Sequence, residues 1–262
     1  MTFYPDECRL GQPLIFDTHA HLDDDRFKEC LPSLLDEMHT NGVDRIITCG
    51  CDYASSAKAL ELAHKYPFIY AAVGIHPECD KAFGECEKIR DLIDDPRCVA
   101  IGEIGLDYYW ASDNKDEQKA VFERMLELSH ETGKPTLVHD REAHEDTLNI
   151  LLKHKPRGVV HCFSGSVESA KIIAEMGMYI GIGGVLTFKN SKKLPDVARE
   201  IPIEKLLLET DCPYLAPEPY RGRLCHSGLI TLTAQKLSEI KNLSLEETLK
   251  ITNENAKRLF KI

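Results

Sequence analysis

The run Thr136-Leu137-Val138-His139 and the later run Val159-Val160-His161 share one form: a short apolar segment that ends on a histidine. The stretch between them carries His144 near its start and His154 near its end, as a helix joining two strands would. This strand–helix–strand unit recurs along the chain. β-Branched and aliphatic runs at 14–17, 45–49, 69–73, 99–102, 136–138, 159–160, 179–182 and 206–208 predict eight strands, with the spacing that repeated βα units require. Helical periodicity fills the gaps. Leu31, Leu34, Leu35 and Met38 form one apolar face within 30–40, ahead of the stop signal Asn41-Gly42. Val121, Phe122, Met125 and Leu126 do the same within 117–131. Ser244 with Glu247 reads as a capping box that opens a last helix towards Phe260.

Apolar strands alternating with helices predict a parallel sheet covered by helices. Eight units favour closure into an α/β TIM-type (β/α)₈ barrel over an open doubly wound sheet. A dinucleotide fold is disfavoured, because Gly181-Ile182-Gly183-Gly184 lacks the required glycine spacing. The length of 262 residues matches a single barrel domain spanning 1–262.

Hydrophobic residues at 43% supply a large core, and no apolar run is long enough to span a bilayer. Met1 to Pro13 carries Asp6, Glu7 and Arg9 and lacks the apolar core of a secretory signal. The ten cysteines are scattered without repeated spacing, which points to free thiols and a cytoplasmic setting. A net charge of −11 argues against broad electrostatic wrapping of nucleic acid, although a local positive site is compatible with it.

The eleven histidines fall into groups. His39, His64, His130, His144 and His154 lie in helical stretches and need no special role, and His226 lies in a loop. His19, His21, His76, His139 and His161 each follow an apolar strand, as do Glu103 and Asp211. In a barrel the carboxyl ends of the strands form one face, and that face holds the active site. His19 and His21 are two apart, so an extended chain turns both to the same side, as two imidazoles gripping one ion require. A metal centre built from His19, His21, Glu103, His139, His161 and Asp211 follows. A structural zinc site is disfavoured, since such sites favour cysteine-rich tetrahedra with short local spacing. Cys49-Gly50-Cys51, with no matching second pair, reads as core or loop cysteine. The run Asp23-Asp24-Asp25 reads as a solvent-facing cap of the first helix.

The segments Phe16-Asp17-Thr18-His19-Ala20-His21-Leu22-Asp23, Gly74-Ile75-His76-Pro77 and Ile101-Gly102-Glu103-Ile104-Gly105-Leu106-Asp107-Tyr108-Tyr109 carry a family pattern. So do Val138-His139-Asp140-Arg141-Glu142-Ala143, His161-Cys162-Phe163-Ser164-Gly165-Ser166 and Glu209-Thr210-Asp211-Cys212-Pro213-Tyr214. In this order the chain resembles the TatD-like metal-dependent deoxyribonucleases of the amidohydrolase superfamily. The resemblance implies two divalent ions (zinc, manganese or magnesium). His19, His21 and Asp211 would hold one, His139 and His161 the other, and Glu103 would bridge them. It implies cleavage of DNA phosphodiester bonds, with single-stranded or end-frayed DNA as substrate. A monomer without a membrane partner is expected.

Such a centre shields a phosphodiester and turns water into hydroxide near neutral pH. Asp211 is the candidate base, and His76 the candidate contact to the phosphoryl oxygen or the leaving group. Arg221, Arg223 and Arg141 are candidate phosphate contacts. Tyr108, Tyr109 and Trp110 follow Glu103 and offer rings for bases, with Tyr108 as the candidate substrate contact. After Arg223 the family often reads Asn-Glu-Pro, whereas this chain has Cys225-His226-Ser227 beside the expected phosphate site. That departure keeps open an amide or ester hydrolase, such as a D-aminoacyl-tRNA deacylase, and a non-catalytic metal-binding scaffold.

Overall fold

A computed structural model describes residues 4–79 and 82–262. The strands are β1 (Ile15–Ala20), β2 (Val43–Cys49), β3 (Ile69–Val73), β4 (Cys98–Asp107), β5 (Thr136–Arg141), β6 (Gly158–Val160), β7 (Tyr179–Ile182) and β8 (Leu206–Leu208). They form one eight-stranded sheet in chain order, every neighbouring pair parallel. A parallel bridge from Ala20 to Cys212 joins the end of β1 to the segment after β8 and draws the sheet into a barrel. The eight expected strands are all present. β3, β7 and β8 have the expected bounds, while β1, β4 and β5 run further, towards the carboxyl face.

The strands are buried on both sides because the sheet separates two cores. Phe16, Ile47, Ala72, Val99, Leu137, Val159, Tyr179 and Leu207 fill the interior, where Phe260 of the last helix closes one end. Its ring lies 6.0 Å from that of Phe16. Ile46, Ile101, Val138, Val160 and Ile180 face the helices outside. Side chains alternate along a strand, so stepping two residues along the inward register predicts what faces the cavity above. Leu137 leads to His139, Val159 to His161, Ala72 to Gly74 and His76, and Leu207 to Glu209 and Asp211. In β1 the step from Phe16 would miss His19. A register irregularity between Asp17 and Ala20 restores it.

The helices Leu31–Thr40 and Lys115–Thr132 lie where periodicity placed them. Ser244 caps the helix Leu245–Phe260 through the expected reciprocal box with Glu247. The acidic run is different from expectation. Cys30, not an aspartate, precedes the first α-helix, and Asp24 instead caps the 3₁₀ turn Asp25–Phe27 by accepting the Arg26 N–H. The chain here needs a tight turn before the helix begins, and Asp24 stabilises that turn. All ten cysteines are free. Among the described residues no helix is long and apolar enough to cross a membrane.

Candidate metal centre

A cavity of about 930 Å³ opens on the carboxyl face, lined among others by His21, His76, Glu103, His139, His161 and Asp211. His19 lies fully buried behind them. The six residues expected to form one centre are therefore together, and Glu103 is at their middle. Its Oε2 lies 3.3 Å from His19 Nε2 and 3.4 Å from His21 Nε2. Its Oε1 lies 2.7 Å from both His139 Nδ1 and His161 Nε2. Asp211 Oδ1 completes the first group, 3.3 Å from His21 Nε2 and 3.8 Å from His19 Nε2. The two nitrogens of His19 and His21 are 3.2 Å apart, as are those of His139 and His161.

These spacings test whether the residues fit metal ions. Ligands that share one ion at about 2.0–2.2 Å stand roughly 3 Å or slightly more from each other. The first group, with separations from 3.2 to 3.8 Å, meets that condition. Around Glu103 Oε1 the separations of 2.7 to 3.2 Å are tighter but of the same order. The mixed imidazole and carboxylate donors suit zinc, manganese or iron and also admit magnesium. The residues fit.

The electrostatics agree. Burial opposes the charge on Glu103, but the imidazoles of His161, His19 and His76 and the hydrogen bond from His139 outweigh it, holding the carboxyl well below its usual range. Burial likewise works against Asp211, and the His21 contact overcomes it and lowers its pKa. His19 is pushed down to about 4, by burial first and the neighbouring His161 second. Its ring stacks on that of His161 at 3.8 Å.

A supporting layer went unread in the sequence. Asp107 Oδ2 lies 3.1 Å from His139 Nε2, which leaves Nδ1 to face Glu103. Its Oδ1 accepts the N–H groups of Tyr109 and Trp110 at 2.9 and 2.8 Å. Asp17 accepts the N–H groups of His19 and Thr210 and the Thr210 hydroxyl, tying β1 to the segment that carries Asp211. Asp211 itself has φ of 58° and is held by an N–H bond to the His19 carbonyl at 2.9 Å. Cys51 Sγ lies 3.9 Å from His21 Nδ1 and within reach of a shared ion with His21 and Glu103. Glu209 accepts the Cys162 N–H, and burial pushes its pKa up to about 8. A period-two count was an available signal for two of these: Asp107 lies four residues beyond Glu103, and Cys51 two beyond Cys49.

The remaining candidates scatter. His76 Nε2 lies 3.6 Å from Glu103 Oε1, while its Nδ1 accepts the Glu78 N–H. Arg141 lines the cavity. Arg221 does not. It lies 4.2 Å over the Phe188 ring and donates to Asn190, beside a smaller cavity of about 330 Å³ lined by Cys162, Ser164 and Lys192. Arg223 packs over Tyr220. Tyr108 turns its hydroxyl to Asp146 and its ring under Lys115, while Trp110 lines the cavity. Cys225, His226 and Ser227 are buried, with the His226 ring 5.2 Å from that of Tyr4, and they line neither cavity. Asp23 and Asp24 line the large one.

Known proteins share this arrangement of chain. The family described as TatD related DNase matches residues 16–261. An uncharacterized metal-dependent hydrolase, YabD of Bacillus subtilis, is 40% identical over 254 residues, covering 95% of this chain and 100% of its own. The uncharacterized metal-dependent hydrolase YcfH of Escherichia coli is 33% identical over 255 residues, covering 95% and 96%. The crystal structure of YJJV, a TatD homolog from Escherichia coli, superposes with a TM-score of 0.88 at 28% identity, covering 95% of this chain and 98% of its own.

Proposed function

The chain belongs to the TatD-related DNase family and is a metal-dependent hydrolase, and on that premise we propose that it cleaves phosphodiester bonds of DNA. The observation that carries the reading is Glu103, whose two carboxylate oxygens each face a separate set of donors. We assign His19, His21 and Asp211 to one divalent ion, His139 and His161 to a second, and Glu103 to both. Bound there, the ions supply positive charge that shields a phosphodiester and lowers the pKa of water.

The chain's own groups complete the chemistry. Asp211 reaches the cavity and, as a carboxylate held ionised, accepts the proton of the attacking water. His76 accepts the Glu78 N–H on Nδ1, which leaves Nε2 on the side of Glu103 and the cavity. It donates to a phosphoryl oxygen or to the leaving oxygen. Arg141 supplies a cation at the same cavity. Arg221 and Arg223 do not line this cavity and serve, in this reading, a part of the strand away from the reacting phosphate. Every group comes from one chain, so a monomer suffices.

The test is direct. Metal-loaded protein and its Glu103→Ala variant are incubated with labelled oligonucleotide and with D-aminoacyl-tRNA. Release of nucleotides by the wild type alone is expected. Ester cleavage with intact DNA would overturn the assignment in favour of a deacylase, and no turnover with zinc, manganese or magnesium would leave a binding scaffold.

A further inference from the structure

The three most exposed large hydrophobic side chains among the described residues are Trp110 at 63%, Tyr109 at 57% and Tyr214 at 48%. All three belong to loops of the carboxyl face. Trp110 and Tyr214 line the same cavity as His21, Glu103 and Asp211. Their positions in the ring are opposite. Trp110 follows β4 and Tyr214 follows β8, four strands apart in a closed order of eight. From these observations we infer that Trp110 and Tyr214 are two base-stacking platforms that grip unpaired nucleobases on either side of the reacting phosphate. The inference rests on the nuclease reading above and adds the residues that hold the substrate.

Neither ring is a loose surface residue. Trp110 meets Tyr109 edge-on at 4.7 Å and 89°, and the Arg141 guanidinium carbon lies 4.5 Å from the Tyr109 centroid and 5.5 Å from that of Trp110. The Arg26 guanidinium carbon lies 4.1 Å over the Tyr214 ring. Each aromatic group is thus braced by an arginine and still exposes about half its surface or more. Each is also tied to the centre. Asp107 takes the Tyr109 and Trp110 N–H groups on one oxygen and His139 on the other. Tyr214 donates its N–H to the Asp211 carbonyl at 3.0 Å and its hydroxyl to Asp24 at 3.3 Å. The reach from ring to reacting centre is therefore set by hydrogen bonds.

The charges distinguish the two sides. Arg26 is neutralised by Asp24, 2.7 Å away. Arg141 makes no ion pair among the described residues, so it can pair with a phosphate beside the base on Trp110. π-Faces accept any base, and a paired, stacked duplex does not present them. The site would grip by stacking at two points and by charge at one, which fits a chain of net charge −11.

Trp110 is the chain's single tryptophan, so its fluorescence reports one platform alone. Metal-loaded protein is mixed in a stopped-flow instrument with a short single-stranded oligodeoxynucleotide, and separately with an abasic chain bearing the same number of phosphates. We expect quenching by the first and little by the second. Trp110→Ala and Tyr214→Ala should each shrink the wild-type preference for the natural over the abasic chain, measured as a ratio of KM values, by roughly ten- to a hundredfold. Trp110→Phe should restore part of it. Equal quenching by both chains, no quenching by either, or an unchanged ratio in both variants would overturn the platforms. Cleavage of the abasic chain as readily as the natural one would leave the nuclease reading standing without them. Base-dependent quenching without cleavage of any phosphodiester would leave the platforms standing without the nuclease.

Discussion

At the scale of single residues, legibility followed the backbone period. His19 and His21 were readable because two residues on an extended chain point one way, and their nitrogens do converge to 3.2 Å. Asp107 shares the period of Glu103, but its partner His139 is remote in sequence and an acid at a strand end has many uses, so spacing alone did not assign its role. The structure gives it two jobs on two oxygens. Carboxylates behind a ligating histidine fix the ring and its tautomer, and losing one typically costs ten- to a hundredfold in metal affinity. Asp107→Ala should therefore weaken metal binding by about ten- to a hundredfold, measured by competition with a chelator. An affinity equal to that of the wild type would show that His139 needs no such support. Cys225-His226-Ser227 teaches the opposite lesson: a departure from a family pattern drew attention to a loop that is buried against Tyr4.

At the scale of elements, the cores of the strands and the residues at their ends were legible, but how far β1, β4 and β5 extend was not. The expected fourth strand stopped at Gly102, whereas β4 continues through Glu103 to Asp107. Two glycines and two acids interrupt its apolar pattern, and each disfavours a strand by propensity. Tertiary context overrides that propensity here, because the extension pairs with β5 and its acids face the cavity. Gly105 shows the physical reason for one interruption. Its φ is +147°, and an added Cβ would overlap the His139 carbonyl oxygen on β5. Gly105→Ala should destabilise the fold by roughly 2–4 kcal/mol through backbone strain and that overlap. Since β4 carries Glu103 and β5 carries His139, the same substitution should lower metal content, read by elemental analysis of the purified variant. Wild-type melting temperature and full metal content together would mean that β4 and β5 can separate without cost to the centre.

At the scale of the whole molecule, closing the barrel forces ionisable groups from six segments into one small volume, and that has a consequence for pH. Without metal the centre neutralises its carboxylates by holding protons. Burial opposes charge on His139, but hydrogen bonds to Asp107 and Glu103 outweigh it and push its pKa up to about 10. His21 is raised against the same burial by Asp211 and Cys51, and His161 by Glu103. A histidine whose folded pKa exceeds its unfolded value of about 6.5 contributes stability that is complete below that value and fades as pH rises through the folded one. For the metal-free protein the loss should therefore run from about pH 6.5 to about 10. Metal ions displace the same protons, so their binding strengthens with pH over this window. Both describe one competition for the imidazoles, and it sets the difference between the forms. Scanning calorimetry of metal-loaded and chelator-treated protein should show a gap in melting temperature that widens from pH 6 towards pH 9, on the order of a few degrees for each 1 kcal/mol of differential stability. A gap that narrowed with rising pH would mean that metal and protons do not compete for these imidazoles, and the six-residue centre would have to be reassigned.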